Sequence, residues 1–105
     1  MRITITTRHS NVSEDVRASA RARLERLGRV AARPHHLQLI LDAERGTPTV
    51  ELRLHTSRRH VHVATAEGPD YRSAINRAVA KVRRQVDKLD KTPVRRARAP
   101  ARKTP

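Results

Sequence analysis

Residues 36–55, with the sequence HLQLILDAERGTPTVELRLH, contain two alternating segments separated by a short connection. Apolar side chains occupy every second position of both segments: Leu37, Leu39, Leu41, Val50, Leu52 and Leu54. Only Ile40 interrupts the polar positions between them. Because side chains along a strand point alternately to two faces, the pattern predicts two half-buried strands. The connection Glu44-Arg45-Gly46-Thr47 is short enough for a hairpin, so the two strands should be antiparallel.

A further strand is predicted on each side of this hairpin. Residues 2–8 alternate, with Ile3 and Ile5 on one face. After the hairpin, Val61 and Val63 alternate with histidines, and we expect the two valines to form the apolar face of that strand.

Two helices complete the pattern. Ser13 is a suitable N-cap for a helix over residues 14–32, and Asp70 is one for a helix over residues 71–91. The first helix has an apolar stripe formed by Val16, Ala20, Leu24, Leu27 and Ala31. The second has the corresponding stripe Ile75, Val79, Val82, Val86 and Leu89. Each stripe recurs at helical spacing and requires a covering layer.

The order β-α-β-β-β-α predicts an α+β fold, a two-layer sandwich. The strand-helix-strand start favours a parallel first pair, and the hairpins make the rest of the four-stranded mixed sheet antiparallel. Since every strand has one apolar face, both helices should cover the same side of the sheet. We expect residues 1–91 to form this domain. Residues 92–105 are rich in proline, alanine and arginine without apolar periodicity, which predicts a disordered basic tail.

The composition favours a polyanionic partner. The chain has 105 residues and a formal net charge of +14, from 24 lysines and arginines against 10 acidic residues. Residues 1–91 retain +9, with 19 basic and 10 acidic side chains. Such a charge is typical of binding to nucleic acid or to an anionic membrane surface. Tyr71 is the single aromatic residue, so recognition by several rings stacked on bases is excluded.

A row of cations on the second predicted helix is the strongest functional signal. Its members follow one another at intervals of four and three residues: Arg77, Lys81, Arg84, Lys88 and Lys91. At about 100° per residue, this row lies roughly opposite the apolar stripe. The row therefore predicts contacts to phosphates and favours those of RNA. Membrane-surface binding is disfavoured because the apolar stripe is required for the core.

The first predicted helix carries a second set of basic residues, including Arg21, Arg26 and Arg29. Glu25 interrupts this set, so an ordinary solvated face and an RNA contact are both open. If the helices pack side by side, their outer faces form one broad basic surface suited to phosphate.

The sequence contains no pattern that predicts catalysis or a bound cofactor. Cysteine is absent, and three scattered glycines form no phosphate-binding loop. His60 and His62 share a strand face and His55 is expected across from them, but no further ligand completes a metal site. We therefore expect a non-enzyme without metal, cofactor or small-molecule substrate. No apolar run approaches the roughly 18 residues of a membrane span, and a cytoplasmic location fits the composition.

Two stretches resemble the ribosome hibernation promoting factor family, also called the ribosome-associated inhibitor A family. The first is Met1-Arg-Ile-Thr-Ile-Thr-Thr-Arg-His, followed by Val12-Ser13 and a basic helix ending Leu24-Glu-Arg-Leu27. The second is Ala66-Glu-Gly-Pro-Asp70-Tyr-Arg-Ser-Ala-Ile75-Asn, which continues into Lys81-Val-Arg-Arg-Gln-Val-Asp-Lys-Leu89. The family commonly has an aromatic residue two positions after the capping acid, whereas this chain has Tyr71 one position earlier.

The resemblance implies a stress or stationary-phase factor that binds the small ribosomal subunit at the decoding channel and excludes messenger and transfer RNA sterically. It places Lys81, Arg84 and Lys88 against the backbone of 16S ribosomal RNA. Arg77 and Lys91 extend the row by geometry only. The resemblance leaves open the oligomeric state and whether the chain promotes or prevents ribosome dimers. An alternative from the residues themselves is a stand-alone module for double-stranded RNA or DNA, not specific to the ribosome.

Overall fold

The elements follow one another in the predicted order. The computed structural model describes residues 1–31, 33–57 and 60–91, except for the side chains of residues 89–91. Its elements are β1 (Arg2–Thr7), α1 (Glu14–Val30), β2 (Pro34–Glu44), β3 (Thr47–Thr56), β4 (Val61–Glu67) and α2 (Tyr71–Lys91). The tail predicted for residues 92–105 lies outside the described residues.

The four strands form one mixed sheet in the order β1-β2-β3-β4, which confirms the predicted topology. β1 is parallel to β2, while β2, β3 and β4 are antiparallel. Leu39 pairs with Leu52, and Leu52 pairs with Ala64, so these three residues form a row across one face. β1 and β4 are the edges of the sheet.

The central hairpin is longer than the sequence predicts. β2 and β3 extend to Glu44 and Thr47, which leaves only Arg45 and Gly46 in the turn. Both have positive φ angles, 53° and 81°. A two-residue turn with two positive φ angles matches the right-handed twist of antiparallel strands, and glycine adopts this conformation without steric cost.

Both helices pack on one face of the sheet, as predicted, and share a single hydrophobic core with it. Side chains that are almost fully buried come from the sheet and from both helices: Leu24, Leu37, Leu39, Leu41, Leu52, Leu54, Ile75 and Val82. Tyr71 packs against the edge of this core, and its hydroxyl donates to the main-chain oxygen of Asp42 at 2.7 Å. The displaced aromatic residue therefore joins the start of α2 to β2.

The helix caps are those that the sequence predicts. The Oγ atom of Ser13 accepts from the main-chain N–H of Val16, and Asp70 accepts from that of Ser73. The hydrogen bond from Ser73 holds the pKa of Asp70 below its ordinary value, because it stabilises the carboxylate. α1 ends at Val30, earlier than predicted, since Ala31 already has an extended backbone.

The expected apolar face of β4 is wrong. Val61 and Val63 are 48% and 43% exposed, whereas Ala64 is only 6% exposed. The pairing with β3 places Ala64 opposite Leu52, so the even-numbered residues of β4 face the helices. A small residue at this position lets α2 lie close to the sheet. The valines lie on the open face instead.

This orientation of β4 predicts different effects for the same substitution at two adjacent positions. Ala64→Asp should lower the free energy of unfolding by about 3 kcal/mol, because it places a carboxylate in the apolar core. Val63→Asp should cost less than about 1 kcal/mol, since its side chain faces solvent. Urea unfolding followed by circular dichroism measures both values. A larger loss for Val63→Asp would mean that the strand faces the other way.

Candidate nucleic-acid interface

α2 and the edge strand β4 form a groove that brings together three of the predicted cations. The groove has a volume of about 410 Å³. Its lining consists of Val63, Ala64, Thr65, Lys81, Arg84, Gln85 and Lys88. Burial of Ile75, Val82 and Val86 fixes the rotation of α2, so the cations on its outer side project beside the free edge of the sheet.

Three side chains of α2 donate hydrogen bonds to main-chain oxygens of β4. Arg77 donates to Glu67 at 2.7 Å, Lys81 to Thr65 at 2.7 Å and Gln85 to Val63 at 2.9 Å. Four residues of helix rise about 6 Å, and two residues of strand rise about 6.8 Å. The spacing along α2 therefore matches the spacing along β4, so donors four residues apart on the helix reach carbonyls two residues apart on the strand. We call Arg77, Lys81 and Gln85 the edge ladder.

The edge ladder changes the interpretation of the cation row. Arg77 and Lys81 were predicted to contact phosphates, and both also cover main-chain acceptors at a free sheet edge, where another strand could otherwise pair. An ammonium or guanidinium group has further hydrogen atoms available for an anion. The main-chain bonds therefore hold these charges in place beside the groove. The side chain of Lys91, the last predicted member of the row, lies outside the described residues.

The basic residues predicted on α1 do not reach this groove. Arg21, Arg26 and Arg29 are exposed. Arg17 donates to the hydroxyl of Thr7 in β1, and Arg21 follows one turn later on the same flank of the helix. By helical rotation, Arg29 also lies away from α2, while Arg26 lies on the flank that faces it.

A crevice between the helices brings together Arg23, which belongs to the basic set of the first helix, and Arg72, which lies outside the predicted cation row. It has a volume of about 90 Å³ and includes Arg23 of α1 and Arg72 and Asn76 of α2. The two arginines bring positive charge to the junction of the helices and connect their outer faces. Helical periodicity alone does not reveal which flank of α2 faces α1, so the sequence contains no signal for this pair.

Gln85 is the other contributor that the sequence analysis missed. It follows Lys81 by four residues and Arg77 by eight, so its position on the helix was readable from spacing. Because it carries no charge, it does not belong to the cation row. Its hydrogen bond to Val63 shows that it belongs to the same geometric set.

The histidines are arranged differently from the sequence prediction. His55 pairs with Val61 across the strands and lies on the opposite face from His62, so the expected proximity is wrong. It stacks instead on His36, with ring centroids 5.7 Å apart. Among the described residues, no group of three or more histidine or acidic side chains is placed to bind a metal.

His36 lies in an environment that disfavours its charged form. Its Nε2 atom lies 2.8 Å from the hydroxyl of Thr4. Partial burial, followed by the positive charge of Arg2 and the neighbouring ring of His55, lowers the pKa of His36 below its ordinary value of 6.5.

Acidic side chains collect on the open face of the sheet, in a depression that adjoins the groove of α2 and β4 and shares Lys81 and Thr65 with it. This depression, near the central hairpin, has a volume of about 430 Å³. Its lining combines the carboxylates of Asp42, Glu44, Glu51 and Glu67 with the cation of Arg8. Asp42 accepts from the N–H of Ala43, which lowers the pKa of this carboxyl, with a smaller effect from His9. The basic helix side is therefore the side suited to phosphates.

In the described part of the chain, neither helix has the length and apolar character needed to cross a membrane.

Comparison with known proteins identifies a family and a shared fold. The family described as "Sigma 54 modulation protein / S30EA ribosomal protein" matches residues 3–92. A ribosomal subunit interface protein from Coxiella burnetii is 17% identical, with a TM-score of 0.75 over 86% of this chain and 98% of that one. The N-terminal domain of Protein Y from Thermus thermophilus is 21% identical, with a TM-score of 0.73 over 85% and 99%. No curated protein matches the chain.

The environment of His36 predicts a pH-dependent stability. Because the folded state lowers the pKa of His36, the unfolded state takes up the proton first as the pH falls below 6.5. The stability contributed by the neutral ring is thus present above this pH and lost below it. Melting temperatures should fall between pH 7.5 and pH 5.5, and fall less for His36→Gln. An equal fall in both proteins would exclude His36 as a contributor.

Proposed function

The chain belongs to the family of sigma 54 modulation proteins and S30EA ribosomal proteins, and we propose that it is a ribosome hibernation factor that represses translation. Its partner in this proposal is the small ribosomal subunit, bound through the backbone of 16S ribosomal RNA. The solved structures with the same fold include one described as a ribosomal subunit interface protein. The fold itself permits many functions, so the family membership and the site support the proposal together.

The observation that carries the proposal is the groove in which Lys81, Arg84 and Lys88 meet beside β4. These residues occupy the positions that the family resemblance assigns to contact with ribosomal RNA. Lysine and arginine bind phosphate oxygens without reading the bases, which suits contact with an RNA backbone irrespective of its sequence. Arg77, Lys91, Arg21, Arg26 and Arg29 are proposed as additional phosphate contacts around them.

The proposed mechanism is steric and contains no chemical step. The domain occupies the decoding channel of the small subunit, where messenger RNA and transfer RNA anticodons otherwise lie. Its basic helix side faces the ribosomal RNA, and the sheet face with the acidic depression faces away from it. Such a factor acts in the cytoplasm under stress or in stationary phase.

Competition on purified small subunits tests this assignment. The protein should co-sediment with the subunits, and messenger RNA together with initiator transfer RNA should displace it, because all three occupy one channel. Quantitative sedimentation at fixed salt measures the displaced fraction. Equal affinity for any duplex RNA of similar length, without such displacement, would support the stand-alone RNA-binding module instead.

Substitution of the groove cations tests which surface binds. Lys81→Ala, Arg84→Ala and Lys88→Ala combined should weaken small-subunit binding at least about tenfold, or roughly 1.4 kcal/mol. The dependence of affinity on salt should also become shallower, by a log–log slope of about 0.7 to 0.9 for each lost phosphate contact.

A control variant removes the same charge from another part of the surface. Arg2, Arg8 and Arg45 are exposed and lie outside both helices. Their combined replacement by alanine should weaken binding far less than the groove variant. Equal losses from both variants would show that net charge, rather than the groove, determines the affinity.

A further inference from the structure

The free edge of β4 presents main-chain donors as well as side-chain charges. β4 pairs with β3 on one side only. The main-chain oxygens of Val63, Thr65 and Glu67 point away from β3, because all three accept hydrogen bonds from α2. In an extended strand, the N–H and C=O of one residue point to the same side. The N–H groups of these three residues therefore also point outward.

The edge ladder leaves this edge rich in donors. The outward carbonyls of Val63, Thr65 and Glu67 each accept from a side chain of α2, so the acceptors along this part of the edge are satisfied. Within residues 1–31, 33–57 and 60–91, no acceptor lies on the outward N–H groups of Val63 and Thr65. An ordinary strand edge alternates donors and acceptors and fits another strand. This edge offers mainly N–H groups and positive charges, which fit an anion.

We propose that the outer edge of β4 is a binding site for the extended phosphodiester backbone of single-stranded RNA. In this site the N–H groups of Val63 and Thr65 donate to phosphate oxygens. Lys81 and Arg84 neutralise the phosphate charges from the side of α2. The inference rests on the proposed RNA contact and adds to it the main chain of β4 as a ligand-binding group.

The shape of the groove and the local charges determine which residues along the edge of β4 bind the RNA backbone. Successive outward N–H groups along a strand are about 6.8 Å apart and form a straight line. The backbone of a single extended strand of RNA follows such a line. Its bases can turn away from the protein, so binding does not require aromatic side chains for the bases to stack on. Beyond Thr65 the exposed carboxylate of Glu67 repels phosphate. The site therefore centres on Val63 and Thr65, where the groove is lined by cations.

Nuclear magnetic resonance of the full-length, ¹⁵N-labelled protein tests the proposal. The probe is octauridylate, a single-stranded RNA that contains no complementary bases and so does not pair with itself. Its addition should shift the amide signals of Val63 and Thr65 and slow their hydrogen exchange at least about tenfold, because each N–H gains an acceptor. The amides of Ala64 and Ala66 point toward β3 and serve as internal references.

A pair of substitutions at one position isolates the main-chain donor. Thr65→Pro removes the N–H group without removing a bond to β3, since this N–H faces outward and proline is tolerated on edge strands. Thr65→Ala also removes the hydroxyl group but retains the N–H donor. Thr65→Pro should bind octauridylate about tenfold more weakly than Thr65→Ala. Melting temperatures of both variants establish that they fold.

Several outcomes would overturn the proposal without affecting the proposed function. Unchanged amide signals of Val63 and Thr65 in the wild-type protein would do so, even if the proline variant failed to fold. Equal affinities of the two variants would do so as well. A duplex RNA that reproduced the same amide changes would exclude an extended single strand as the ligand. Small-subunit competition is measured independently and would fail only if the ribosomal assignment itself were wrong.

Discussion

The burial of the apolar stripe of α2 against β3 and β4 is the interaction on which the rest of the structure depends. Ile75, Val82 and Val86 are at most 3% exposed. Burying side chains of this size stabilises a fold by about 1.5–3 kcal/mol each, which leaves the helix one favourable rotation about its axis. That rotation places Lys81 and Gln85 along the free edge of β4. The functional geometry thus follows from the packing of the opposite face.

The edge ladder links stability to the proposed RNA contact. A sheet edge must be protected from pairing with other strands, and charged side chains are a common means of protection. In this protein the protecting groups belong to the same helix row that supplies the positive charge. Lys81 is both a donor to Thr65 and a member of the groove. The neutral side chain of Gln85 covers a carbonyl of β4 as well, so protection of the edge does not by itself require charged residues.

The two sides of this basic protein differ in their balance of charges. The outer faces of the helices carry an excess of exposed arginines and lysines, whereas on the open face of the sheet the carboxylates of the depression offset cations such as Arg8. Because of this difference, a polyanion attracts the helix side of the domain more strongly than the open face of the sheet. Ion pairs on the open face, such as that between Arg53 and Glu51, further reduce the net charge of this face.

Periodicity along the chain determined the order of the elements, the mixed sheet, the common face of the helices and the cations that share one side of α2. These features follow from spacing, because alternation and helical repeat report which residues of one element share a face. Tertiary structure alone decided which neighbour covers each face. Hydropathy favoured Val63 for the core, but pairing with β3 and the close approach of α2 selected Ala64. Contacts between elements distant in sequence, which no local spacing encodes, also decided three further features. These are the stacking partner of His55, the crevice at Arg72 and the role of Gln85.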